Sequence, residues 1–138
     1  MAAPTNLALL NRVSSFFARI VRHRVYNMRH LSTSQIFERL GLQSLSVRRQ
    51  QRDLMFLHDI INGRVSCAPL LAGLLLRVPG RVTRHTALFH VPRARTEVER
   101  RSLLHRLPSS FNSLPPTIDL AQGRQMFSRS VSRHLNIL

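Results

Sequence analysis

"RRQQRDLMFLHDIING", residues 48–63, decides how the chain folds. Three arginines and an aspartate lead into an apolar run that stops at Asn62-Gly63. Ser44, just upstream, is a helix-start residue, so the spacing predicts the chain's longest helix from Ser44 to about Asn62. Leu45, Phe56 and Ile60, with their neighbours Leu57 and Ile61, form its apolar side. Gly63 follows where a helix end favours a left-handed residue. Arg49 and Asp53 stand four apart and can meet on the surface, in the weaker order for the helix dipole.

Upstream, residues 6–24 fit a helix, with Asn6 as its cap and Leu10, Val13, Phe17 and Ile20/Val21 on one face. Residues 27–33 are polar and read as a connection. Ser34 can cap a short helix carrying Ile36, Phe37 and Leu40, with Gly41 at its end. Downstream, Pro69 suits the first turn of a helix over 68–76. "VPGRVTRHTALFHVPRART" (78–96) has prolines at 79 and 92 and β-branched residues. Extended segments are expected at 81–84 and 87–91, as a loose hairpin. Helix returns over 97–107. "LPSSFNSLPPT" is turn-rich, and 119–136 reads as a last helix with Phe127, Val131 and Leu135 in line. The fold class is therefore mostly α, a small helical domain with a short irregular or β-hairpin insertion around 78–92. One domain is expected over 1–138: a basic amphipathic helix (1–30), a helical part (34–76), an extended, turn-rich part (77–96) and a helical tail (97–138).

Charge is the unusual feature. Among 138 residues, 21 are basic and 6 acidic, a net charge of +15. Every basic residue is Arg. Such a field opposes compaction and favours a polyanionic partner. Arg also forks onto phosphate in a way Lys does not, although GC-rich coding would give the same Arg-for-Lys bias. The hydrophobic fraction of 43% is enough for a packed core. Cys67 is the only cysteine, which excludes an intramolecular disulfide and a multi-Cys zinc site. It reads as a small buried hydrophobe. The longest apolar run, around Leu70–Leu76, is too short to span a bilayer. The first acid is Glu38. The segment before it is Arg-rich, Ser-containing and amphipathic, the description of a mitochondrial transit peptide as well as of an ordinary basic helix.

Catalytic patterns are missing. Asp53 and Asp59, six apart, point to different sides of a helix. Glu97 and Glu99 abut Arg100 and Arg101 and read as a solvated charge cluster. No carboxylate cluster suits two metal ions. None of the seven histidines forms a His-x-x-x-His pair. Cys67 has no protease signature around it, no Gly-x-Ser-x-Gly elbow occurs, and a Walker loop cannot be built without Lys. No metal or cofactor is expected. Basic charge remains, with few aromatics, so phosphate contact without base stacking is the natural expectation.

The ordered set Leu40-Gly41, Ser44-Leu45, Arg48-Arg49, Asp53–Leu57, Asn62-Gly63, Cys67 with Leu70-Leu71, Val78-Pro79, Arg84, Arg95-Thr96, Arg106, Phe111–Pro115 and Phe127 resembles the C-terminal tail of non-LTR retrotransposon reverse transcriptases of the jockey-like group. The upstream "RVSSFFARIV" resembles the Arg/Phe-rich helix that precedes this tail. The resemblance spans about residues 12–135; no single piece is specific, whereas their order is. One departure is clear: after Arg95-Thr96 the family usually has Asn-Tyr and later Asn-Ser-Pro, and here Glu97-Val98 and Arg101-Ser102-Leu103 stand instead.

The resemblance implies a non-catalytic fragment of an RNA-directed DNA polymerase. The palm with its paired aspartates and the endonuclease lie outside this segment. Arg48, Arg49, Arg52, Arg84, Arg93, Arg95 and Arg106 are the residues expected to contact an RNA or DNA backbone, and the upstream polymerase domain is the expected protein partner. Such a product belongs in the nucleus or cytoplasm. The alternatives are a small mitochondrial RNA-associated basic protein with a transit peptide, and a remnant that does not fold stably alone.

Overall fold

The structure, a computed structural model, describes residues 6–78 and 87–135. Among these residues the fold is mostly α: seven α-helices, one 3-10 turn and one two-stranded antiparallel sheet. The chain divides into two compact units, 1–48 and 49–138.

In the first unit, α1 (Asn6–Arg24) leads through a 3-10 turn at Tyr26–Met28 to α2 (Thr33–Arg39). The cap of α2 is Ser32 rather than the expected Ser34. The Ser32 hydroxyl accepts from the Gln35 backbone N–H, while the Gln35 side chain accepts from the Ser32 backbone at 2.9 Å. This reciprocal box satisfies two otherwise orphaned donors, which a cap at Ser34 could not do with Phe37 three residues on. Gly41 follows with φ of 63°, where a side chain would be strained. Ala18 and Ile36 are the fully buried apolar residues described here.

The helix α3 (Leu45–Ile61) realises the opening stretch but, contrary to expectation, is not the longest helix: it has 17 residues, and α1 has 19. The Ser44 hydroxyl accepts from the Val47 N–H at 3.4 Å, and Gly63, φ 68°, ends the helix. Its buried stripe is Leu54, Leu57, His58 and Ile60. The expected stripe differs: Leu57 and Ile60 are in the buried one, Leu45 and Phe56 are only half-buried, Ile61 stays exposed, and Leu54 and a histidine join instead. After α4 (Ala68–Gly73) the run Leu75–Leu76 is not helix but strand β1, paired with β2 (Phe89–His90) in the register Leu75↔His90 and Leu76↔Phe89. The helix stops because Leu74 turns extended, at ψ of 108°. The Arg77 N–H donates to the Leu88 carbonyl at 2.9 Å, prolonging the ladder. The extended segment expected at 87–91 contains β2, whereas 81–84 lies outside the described residues.

The helix α5 (Glu97–Arg101) has its own capping box, Thr96 with Glu99. α6 (Leu103–Asn112) runs through Pro108 into a stretch expected as turn. Pro108 forfeits one helical hydrogen bond, but Leu107, Pro108 and Phe111 are all buried on one side, and that burial favours continuation. α7 (Arg124–His134) starts later than expected. The Asp119 carboxylate turns the chain first, accepting from the Ala121 N–H at 3.1 Å. One core gathers Leu54, Leu57 and Ile60 of α3 with Leu70, Leu74, Phe89, Leu107, Phe111, Ile118, Leu120, Phe127 and Val131, with Leu135 and Cys67 packed on it. Phe89 meets Phe111 edge-on at 5.5 Å.

Candidate nucleic-acid interface

The helix α3 has two halves. Its first two turns carry Arg48, Arg49 and Arg52 with no acid in the first turn, unfavourable against the helix dipole. Its second half is held in the core by polar contacts that reach far along the chain. His58 is fully buried, donates from Nε2 to the Gln122 carbonyl at 2.8 Å and stacks on Phe127 at 4.6 Å. The Asn62 amide donates to the carbonyls of His58 and Leu120 at 2.9 and 3.1 Å. Asp59 takes Arg124 side-on, Nε to Oδ1 at 3.0 Å and Nη2 to Oδ2 at 3.3 Å, with Arg64 at 3.9 Å. The Arg124 guanidinium holds the Asp59 carboxyl below the usual carboxylate range, although burial pushes the other way, and the carboxylate raises Arg124 in return.

The expected Arg49–Asp53 pair does not form. Asp53 is taken by Arg106 of α6, through Nε at 2.6 Å and Nη2 at 3.0 Å. The rigid guanidinium fork matches both carboxylate oxygens, a geometry stronger than one flexible contact along a helix. One Nη of Arg49 is shielded from solvent and finds no acceptor.

Glu99 and Glu97 are engaged as well, the first by backbone N–H groups and the second by arginines. Glu99 accepts from the backbone N–H groups of Arg95 and Thr96 at 2.7 and 3.3 Å. Glu97 pairs with Arg101 at 2.8 Å and Arg100 at 3.5 Å. The fold thus devotes Asp53, Asp59 and Glu97 to particular arginines and Glu99 to a helix cap. Among the described residues, Arg48, Arg52, Arg93 and Arg95 are exposed and their guanidinium groups form no carboxylate pair.

The structure sorts the expected contact residues accordingly. Arg48 and Arg52, one turn apart on α3, share a face. Arg93 and Arg95 lie in the irregular segment between β2 and α5, Arg95 at a bend. Arg106 is drawn to α3 as a clasp, and Arg84 lies outside the described residues. Sequence reasoning passed over one contributor. The Gln51 amide donates to the Ser132 hydroxyl at 3.0 Å, tying α7 to the turn of α3 between Arg48 and Arg52. Arg129 and Arg133, exposed and four apart on α7, carry no carboxylate partner among the described residues. Their offset from the Phe127–Val131 line was the available signal.

Several residues of the ordered motif set have structural jobs here. Asp53 and Arg106 form the clasp and Asn62 latches α3. The Asn112 amide pairs with both backbone groups of Phe89, donating at 2.8 Å and accepting at 3.2 Å, as a neighbouring strand would. Among the described residues, no three His, Cys, Asp or Glu side chains are placed to hold a metal ion, and no helix is long and apolar enough to cross a membrane. No family model, curated protein or solved structure matches the chain.

Proposed function

We propose that the chain is a non-catalytic part of a retrotransposon-type reverse transcriptase, where it supplies a basic surface that grips the RNA or DNA backbone. One observation carries the reading. With Asp53, Asp59, Glu97 and Glu99 engaged in clasps and caps, the guanidinium groups of Arg48, Arg52, Arg93 and Arg95 form no carboxylate pair among the described residues, and all four residues are exposed, in a chain of net charge +15. Cations left unpaired in this way suit phosphates, which release their counterions when neutralised. Arginine forks suit phosphate oxygens, and the scarcity of aromatics argues for backbone contact over base stacking. The family assignment rests on the ordered motifs from Leu40-Gly41 to Phe127.

The test is affinity for duplex and single-stranded oligonucleotides across a salt series. The variant Arg48→Ala/Arg52→Ala/Arg93→Ala/Arg95→Ala lowers the slope of log affinity against log salt by roughly 3 to 4 on duplex DNA, at about 0.9 for each phosphate left unneutralised. An unchanged slope and affinity would refute the assignment. The open reading frame upstream of Met1 tests the family: a palm with paired aspartates supports it, and a lone short gene does not.

The second reading, a mitochondrial RNA-associated protein with a transit peptide, draws on α1, which is acid-free and amphipathic. A fluorescent fusion that stays outside mitochondria would exclude it.

A further inference from the structure

The helix α1 carries a feature that backbone binding does not use. Leu9, Leu10, Val13, Phe16, Phe17 and Ile20 are 44 to 64% exposed. At about 100° per residue they fall on one arc roughly 120° wide. Ala18, fully buried, lies on another side of the helix, so this arc is not the helix's packing face. The same helix holds Arg12, Arg19, Arg22 and Arg24 and no acid. Arg12 and Arg19 border one edge of the arc, and Arg24 closes its C-terminal end.

We propose that α1 binds an anionic lipid surface, lying in its plane with the apolar arc at the acyl boundary and Arg12, Arg19 and Arg24 on the headgroups. Charge selects this occupant. A second copy of α1 would bring two acid-free, arginine-bearing helices together, and they repel. A nucleic acid offers phosphates but no aliphatic surface for leucine, valine and isoleucine. A bilayer carrying acidic lipid offers both, and arginines bordering an apolar arc of Phe and Leu suit a helix that lies in the interface, where their long stems reach the headgroups. The helix is not apolar enough to cross, so it lies flat.

The full chain is floated with phosphatidylcholine vesicles with and without phosphatidylglycerol. The expected result is capture by the acidic vesicles alone. Arg12→Ala/Arg19→Ala weakens it about 25-fold, near five-fold for each arginine. Val13→Gln/Phe16→Gln leaves the charge unchanged and alters residues that are 64 and 62% exposed, so folding is undisturbed. It weakens capture by at least about ten-fold. Undiminished capture of that variant would mean general adsorption of a polycation and overturn the proposal. So would equal capture by neutral vesicles, or no capture by either.

Discussion

Arg106 separates a phosphate contact from a structural clasp. Its guanidinium holds Asp53 through two contacts, 2.6 and 3.0 Å, with Asp53 only 15% exposed and Arg106 44% exposed. Attraction between unit charges about 4 Å apart is ~1 kcal/mol in water and ~4 kcal/mol at an effective dielectric constant near 20. Ordering a long arginine side chain and desolvating the carboxylate oppose it. The half-exposed guanidinium is screened, so the net coupling belongs at the top of the range for exposed pairs, about 1 kcal/mol. Urea unfolding of the wild type, Arg106→Gln, Asp53→Asn and the double variant isolates that coupling. Arg106→Gln alone should lower Tm by roughly 5 °C. In the oligonucleotide salt series the same variant should leave the slope unchanged, whereas one phosphate fewer neutralised would lower it by about 0.9. A coupling indistinguishable from zero, together with a reduced slope, would sink the clasp and return Arg106 to the binding surface.

Asp59 sets an acid limb. Its folded carboxyl lies below the ordinary value of 3.8, so its stabilising contribution is complete above that pH and fades as pH falls through the folded value. Asp59→Asn should therefore flatten the loss of stability below about pH 4, and an unchanged acid melt would contradict the Arg124 pairing. Phe127 is fully buried and stacks on His58, so Phe127→Ala should cost about 3–5 kcal/mol in urea, and a cost under ~1 kcal/mol would place it outside the core. Gly63 has φ of 68° with open space around it, so Gly63→Ala should cost about 1 kcal/mol through backbone strain alone, and a neutral result would mean that this helix end is free to re-form.

The elements that sequence made legible are those governed by neighbours. The start of α3 at Ser44, the left-handed Gly41 and Gly63, and the Phe127–Val131–Leu135 line all follow from spacings of a few residues. The errors arose where distant chain decided. A local rule pairs Arg49 with Asp53, but Arg106 arrives from 53 residues away with a better-shaped contact. "LLAGLLL" reads as continuous helix until β2 provides a strand partner for Leu75–Leu76. Pro108 looks like a helix end until its burial beside Leu107 and Phe111 is known. For the basic surface, composition gave the sign of the charge. Which arginines remain unpaired depended on where the few acids were engaged.

The latches on α3 also impose an order of events. His58 waits for Gln122, Asn62 for Leu120, Asp59 for Arg124 and Gln51 for Ser132, separations of 64, 58, 65 and 81 residues. A chain made from its N-terminus has α3 in hand long before any of these partners exists. Until α7 is complete, the stripe of Leu54, Leu57 and Ile60 has no Phe127 or Val131 to close on. Loops of this length are slow to close. A nascent chain therefore carries the buried stripe of α3 uncovered until α7 is made, and a ribosome pausing before residue 124 would expose it to chaperones or to aggregation.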